Sequence, residues 1–335
     1  MNTTVRRILT LLLMVLVLAA AAAGAAAWWL GQPLRLSSPE LELEIEPGAT
    51  PRGVAQAVVR AGVDTDERLL YAWFRLSGKD RLIRAGNYEL TPGVTPYALL
   101  NKLVRGEESL RAITFVEGWT FRQVRAALAK DAFIKQDTAA MSEAELMAAI
   151  GKPGVAAEGR FFPDTYTYAK GSSGVALLRR AAHAMDRRLE EVWRLRAPDT
   201  PLKSADEALI LASIVEKETG RSSDRPEIAG VFTNRLRIGM RLQTDPTVIY
   251  GLGEAFDGNL RRIHLQTDTP WNTYTRAGLP PTPIAMPGKA ALLAAVQPAP
   301  TKALYFVARG DGSSHFSATL DEHNRAVNRY QRGGK

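Results

Sequence analysis

Two glutamates near the end of one apolar stretch are the residues best placed for acid–base chemistry. The stretch is SADEALILASIVEKETG, from Ser204 to Gly220, and it contains Glu216 and Glu218. Ser204 and Glu207 have the spacing of a capping box, and Gly220 supplies a stop, so a helix is expected between them. Most of its residues are apolar, which predicts a largely buried helix. Residues two apart on a helix are separated by about 200° around the axis, so the two acids face nearly opposite ways. Glu218 follows Val215, Ile214 and Leu211 at helical spacing and lies inside their aliphatic arc. Glu216 lines up with Ala212, Ser213 and Leu209, nearer a polar edge with Lys217. A carboxyl in an apolar arc loses hydration, which raises its pKa, and the negative end of the helix dipole pushes the same way. Both effects favour a protonated Glu218 near neutral pH, as a general acid requires. The bland alternative is a helix that ends there with Glu218 in solvent.

The rest of the composition narrows the chemistry. The chain has 335 residues and no cysteine, which excludes disulfides and thiolate metal sites. It has four histidines and no HExxH spacing, so neither a metal nor a cofactor is expected. The net charge is +8, but Lys and Arg are interleaved with acids, as in RRAAHAMDRRLEEVWRLR. That pattern reads as a solvated basic surface, and no nucleic-acid partner is expected.

Several elements must hold the acid in place. Ile8 to Leu30 is an uncharged apolar run, long enough to cross hydrocarbon. Arg6 and Arg7 precede it, and the next charge is Arg35, so residues 1–7 should stay in the cytoplasm and the remainder face outward. Trp28 and Trp29 fit an interfacial belt. A cleaved signal peptide is the alternative, disfavoured by the length of the run. The segment GQPLRLSSPE then reads as a linker.

A local pattern follows three times: EPGATPRGVAQAVVRAG from Glu46, TPGVTPYALLNKLVRGE from Thr91 and VEGWTFRQVRAALAKD from Val116. Each has Gly-x-Thr and then apolar residues at helical spacing, preceded by a strand-like stretch. The expectation is a strand, a tight glycine turn and a Thr-capped helix in each copy. Such units resemble LysM modules, which bind GlcNAc-containing glycans; the resemblance covers roughly residues 40–110, with a purely structural α+β spacer as the alternative. From Met141 to Ser173 the chain reads as ordered loop and short strand, and from Val175 to Arg196 as an amphipathic helix.

Four later blocks carry a wider resemblance: LASIVEKETG, VFTNRLRIGMRLQTDPTVIYGLG, PWNTYTRAGLPPTPIAMPG and YFVARGDGSSHFSATLDEHNRAV. With EGRFFPDTY, they resemble in order the motifs of the endolytic murein transglycosylase (YceG-like) family over residues 158–328. Two departures stand in one loop: Thr282 where the family usually has Gly, and Met286 where Asn is common. The resemblance implies that Glu218, the second glutamate of EKE, is the catalytic acid. It implies cleavage of the MurNAc–GlcNAc β-1,4 bond with closure of a 1,6-anhydro ring. It also implies peptidoglycan strands as substrate, peptidoglycan polymerases as neighbours, and a place in the inner membrane with the catalytic domain outside. Gln243, Thr247, Asn272, Tyr274 and Asn324 are the expected sugar contacts, with His323 as a further shaper of the site. Asp245, before Pro246, reads as a helix cap rather than a sugar contact.

The expected fold class is α+β: a transmembrane helix over 8–30, a small LysM-like module over 40–110 and a larger mixed catalytic domain over 111–335. A muramidase that hydrolyses the same bond, and a glycan-binding scaffold without catalysis, remain competing functions.

Overall fold

The computed structural model describes residues 3–218 and 221–333, with the side chains of the first helix from residue 9 onward. Gly220, the expected helix stop, lies outside the described residues. The chain forms two compact units, Met1–Arg111 and Ala112–Lys335. Both mix helices with short strands.

The first unit begins with α1 (Thr3–Leu30). Its stretch Leu9–Leu30 is 22 residues long and holds an 18-residue window with a mean hydropathy of 2.5, none of it buried within the protein. At about 1.5 Å per residue that is roughly 33 Å of helix, against a hydrocarbon layer of about 30 Å. This N-terminal helix fits a single-pass membrane anchor.

The presumed linker is not a linker. Leu34 is buried and its N–H donates to Val94 O at 2.8 Å. Arg35–Leu36 (β1) pairs antiparallel with Val63–Asp64 (β3), and Ser37 N donates to Gly62 O. Leu34 and Leu36 outweigh the Pro, Ser and Gly around them because both reach the apolar core, where Trp29 also packs.

All three strand–glycine–helix copies form as the sequence pattern predicts. β2 (Leu41–Ile45) leads to Gly48 and α2 (Pro51–Arg60), β4 (Gly86–Leu90) to Gly93 and α4 (Pro96–Arg105), and β5 (Leu110–Thr114) to Gly118 and α5 (Phe121–Lys130). The three glycines have φ of 79°, 95° and 77°, where a side chain would be strained. Thr50, Thr95 and Thr120 accept from the backbone N–H of Gly53, Ala98 and Gln123, each satisfying one orphan donor. In β2, Leu41, Leu43 and Ile45 point inward while Glu42 and Glu44 point out. β2 pairs antiparallel with β4, and α2, α3 (Glu67–Leu76) and α4 bury Val58, Leu70, Phe74 and Leu99 with them in one core.

In the second unit, α6 (Glu143–Ala149) lies where only loop was expected. The complete Ser142–Glu145 capping box and the buried Leu146 and Met147 explain it, since a seven-residue helix is too short for a periodic signal. β6 (Thr165–Ala169) pairs with β5, and α7 (Gly174–Arg194) packs Leu177, Leu178 and Ala181 against α5 and the Phe161 ring.

The second core surrounds α8 (Ala205–Glu218), which is packed by α7, α9 (Arg225–Arg237), α10 (Asp245–Leu252) and α12 (Lys289–Val296). Leu209, Leu211, Ile214 and Val215 are fully buried, and truncating any one to Ala should cost about 2–5 kcal/mol. Short α11 (Arg262–Gln266), the hairpin β7 (Tyr305–Ala308) and β8 (Ser314–Ser317), and α13 (Leu320–Tyr330) complete the unit.

Candidate active site

Glu218 is the last residue of α8. Its Oε1 accepts a hydrogen bond from Thr244 Oγ1. Burial raises its pKa; the Thr244 bond opposes that, Asp245 nearby raises it further, and Arg235 lowers it. A carboxyl drawn toward the neutral form by its surroundings, yet hydrogen-bonded in a way that favours the ion, can give up a proton and take one back.

Thr244 is itself fixed. Its backbone N–H donates to Thr273 Oγ1 at 3.0 Å, and its carbonyl accepts from Thr247 Oγ1 at 2.8 Å. Thr247 and Thr273 hydroxyls meet at 2.9 Å. Because the Thr247 proton is spent on Thr244 O, Thr273 is the donor in that pair. All three threonines are buried. This corrects the expectation for Thr247: it is enclosed and orients Thr244 rather than facing a sugar.

Asn272 is corrected in the same way. It is fully buried, its Nδ2 donates to the carbonyls of His264, Leu265 and Thr267, and its Oδ1 accepts from Tyr274 N. A primary amide can close a loop in this fashion because it carries two donors and an acceptor. What it positions is Tyr274, whose hydroxyl donates to Asp245 Oδ1 at 2.6 Å. Asp245 is no cap: Thr244 holds the cap position without a side-chain bond, and Asp245 is the first residue of α10. Burial and Asp245 together hold the Tyr274 phenol above its ordinary pKa.

Gln243 is exposed and has φ of +48°, alone among the described non-glycine residues in that region. Its neighbours Leu242 and Thr244 are both buried, and its N–H donates to Thr273 O at 3.2 Å. The strained backbone, a cost of about 1–3 kcal/mol, presents the Gln243 amide to solvent beside the acid.

Arg235, which no sequence motif singles out, is 7% exposed. Its guanidinium donates to the carbonyls of Leu304 and Leu242 at 2.7 and 2.6 Å and lies 5.3 Å over the Tyr305 ring. Its charge faces Glu218, Tyr274 and His323. His323 stacks on Tyr305, and burial, then Arg235 and His315, hold its pKa below the ordinary value. Asn324 is exposed on α13, and its side chain makes no hydrogen bond to the described residues.

Glu216 does not lie at a polar edge. Its side chain is 6% exposed and forms an ion pair with Arg225 at 3.1 Å, while its other oxygen accepts from Gly288 N at 2.9 Å. Arg225 and the Gly288 backbone cover this face of α8, while Lys217 beside it stays exposed. Glu216 ties three segments together, with both oxygens engaged in holding them.

Glu158 is a third buried acid, one that its local sequence does not mark for chemistry. Both oxygens accept from Phe121 N, and Tyr250 donates to it. Burial pushes its pKa up to about 7. Next to it, Gly159 has φ of +78°, and a Cβ there would meet the Pro283 ring at 2.5 Å. The available signal was an acid between Ala157 and the Phe161–Phe162 pair, a charge in a stretch otherwise built for the core. Among the described residues, no three His, Asp or Glu side chains gather in a way that could hold a metal ion.

Residues 43–329 match the model of the YceG-like family. The chain belongs to that family. It is 30% identical over 311 residues to the endolytic murein transglycosylase of Bacillus subtilis strain 168, covering 88% of this chain and 86% of that protein. The endolytic murein transglycosylase of Streptococcus pneumoniae D39 is 27% identical over 84% of this chain, which spans 57% of that longer protein. Among solved structures, a YceG-like protein from Listeria monocytogenes is similar at a TM-score of 0.55 and 29% identity, over 86% of this chain and 99% of that one. The two departures from the family pattern have structural work here. Thr282 Oγ1 accepts from Trp271 Nε1 at 2.9 Å, and Met286 is fully buried in the core with Phe161.

Proposed function

We propose that this chain is an endolytic murein transglycosylase with Glu218 as its acid and base. The observation that carries the reading is the environment of Glu218: a buried carboxyl bonded to Thr244, on the helix where the family motif places its glutamate. Glu218 protonates the oxygen of the MurNAc–GlcNAc β-1,4 bond. The carboxylate left behind takes the proton from the C6 hydroxyl of MurNAc, which attacks C1 and closes the 1,6-anhydro ring. One residue serves both steps, so the second carboxylate of an ordinary glycosidase is not required. Thr244 and Arg235 favour the carboxylate between the steps, and burial favours its return to the acid. Gln243 and Tyr274 are the sugar contacts this reading assigns beside the acid, with the exposed Asn324 of α13 as a further one; Thr247 orients Thr244, and Asn272 orients Tyr274.

The same reading gives the anchor and the N-terminal unit their roles. The helix over 8–30 holds the catalytic domain on the outer side of the cytoplasmic membrane, where new glycan strands emerge from polymerases. Cleavage there sets strand length. The strand–helix units of residues 40–110 support a LysM-like contact with the strand.

The test is mass spectrometry of products from purified peptidoglycan, wild type against Glu218→Gln. Anhydro-MurNAc ends from wild type alone support the proposal. Reducing MurNAc ends would make the chain a hydrolase. No new ends from either protein, where a known lytic enzyme works, would leave the scaffold reading.

A further inference from the structure

Beside α10 lies a cavity of about 1080 Å³. Phe121, Ile249, Phe256 and Trp271 give it an apolar wall, and Arg125 and Lys217 stand in its lining. It exceeds the space a single sugar ring needs and falls at the upper end of pockets for organic ligands, about 300–1,000 Å³.

The charges in this lining are unevenly satisfied. Of the three acids, Glu254 pairs with a third cation, Arg122, while Glu143 and Glu158 accept only from the backbone N–H groups of Ala157 and Phe121. Arg125 and Lys217 meet only neutral groups. Arg125 Nη2 donates to the carbonyls of Thr138 and Met141, and Lys217 Nζ donates to Gly118 O at 3.3 Å. Among the described residues no carboxylate is in ion-pair contact with either. A guanidinium has five N–H donors and an ammonium three, so both keep donors, and neither has a carboxylate partner among the described residues. With Glu158 neutral over much of the range below pH 7, three cations of the lining, Arg122, Arg125 and Lys217, stand against two carboxylates, Glu143 and Glu254.

The cavity is lined from the two helices that carry the acid and its neighbour Asp245, although neither of those two residues is in the lining. Lys217 precedes Glu218 on α8, and Pro246 and Ile249 line the cavity from α10, whose first residue, Asp245, acts on Glu218. A group branching from a sugar held at Glu218 would enter here.

We propose that this cavity takes the anionic peptide borne by the muramyl sugar, with its carboxylates on Arg125 and Lys217 and its apolar side chains against Trp271 and Phe256. The proposal rests on the reading of the chain as a murein-cleaving enzyme. Carboxylate on guanidinium or ammonium forms short, charge-assisted hydrogen bonds, and a neutral saccharide offers no such complement.

The experiment is fluorescence anisotropy with a labelled acidic stem peptide carrying a free C-terminal carboxylate, titrated with the full chain in detergent. Saturable binding that weakens with added salt is expected. Lys217→Gln, at an exposed side chain, should weaken it about threefold, and the double variant with Arg125→Gln about tenfold. Should the double variant not fold, Lys217→Gln alone decides. No saturable binding, or equal binding by wild type and Lys217→Gln, overturns the proposal. Displacement of the peptide by tetra-N-acetylchitotetraose at equal concentration also overturns it, since the cavity would then be a sugar site. Binding is read without cleavage, so peptide binding by a chain that forms no anhydro ends would sink the transglycosylase reading and leave this one standing.

Discussion

Replacing Glu158 by Gln tests the electrostatics of the second unit most directly. Glu158 titrates near 7 in the folded chain, against 4.5 for a free glutamate, because burial penalises its ion. Between those two values the folded chain holds a proton that the unfolded chain has lost. Stability therefore falls as pH rises through that window; it is fully present below about 4.5 and lost above about 7. The displacement corresponds to about 3 kcal/mol. For a unit of this size 1 kcal/mol moves Tm by about 2–4 °C, so the full effect is roughly 6–12 °C. Gln mimics the neutral acid and keeps an acceptor for Phe121 N, but it does not titrate. Thermal unfolding of both proteins, followed by circular dichroism from pH 4.5 to 8.5, should give a wild-type Tm that drops relative to the variant across the window. Parallel Tm curves would refute the argument, and with it the claim that Glu158 is neutral when buried.

Three further substitutions probe the site. Thr244→Val removes the donor that favours the Glu218 carboxylate, so its pKa should rise further and the alkaline limb of kcat/KM should move to higher pH; an unmoved limb would mean that the bond has no influence on the acid. Glu216→Gln leaves Arg225 enclosed without its carboxylate and should cost about 3–5 kcal/mol in unfolding free energy, whereas Glu218→Gln should leave stability intact. Equal stability of the two variants in denaturant titration would contradict the division between a structural and a catalytic glutamate. Gln243→Gly relieves the positive φ and should hold or raise Tm by the equivalent of about 1 kcal/mol while lowering kcat/KM; unchanged turnover would remove Gln243 from the sugar contacts.

What was legible in the sequence was what lies within one or two turns of chain. Gly48 and Thr50, Gly93 and Thr95, and Gly118 and Thr120 declare their turns and caps because the bonds close over three residues. The aliphatic arc beneath Glu218 is likewise read from its own helix. The misreadings have one cause, contact over long sequence distance. Glu216 is interior because Arg225 and Gly288 come to it, the latter from 72 residues away. Thr247 and Asn272 have sugar-binding chemistry but spend it on neighbours that only folding supplies. Arg235 looked like one more surface cation, and nothing near it in the chain announces that β7 closes over it.

The segment after α1 has a consequence of its own. Trp29, in the last turn of the helix, packs into the module core, Leu34 is already bonded to Val94, and Arg35 is already in a strand. The helix therefore ends in a mount, without the slack of a leash. Rotation or tilt of α1 is transmitted to the first unit as torque, because there are too few unfolded residues between them to absorb it. Anything that grips the helix along its apolar length also steers the surface that the module offers to its surroundings.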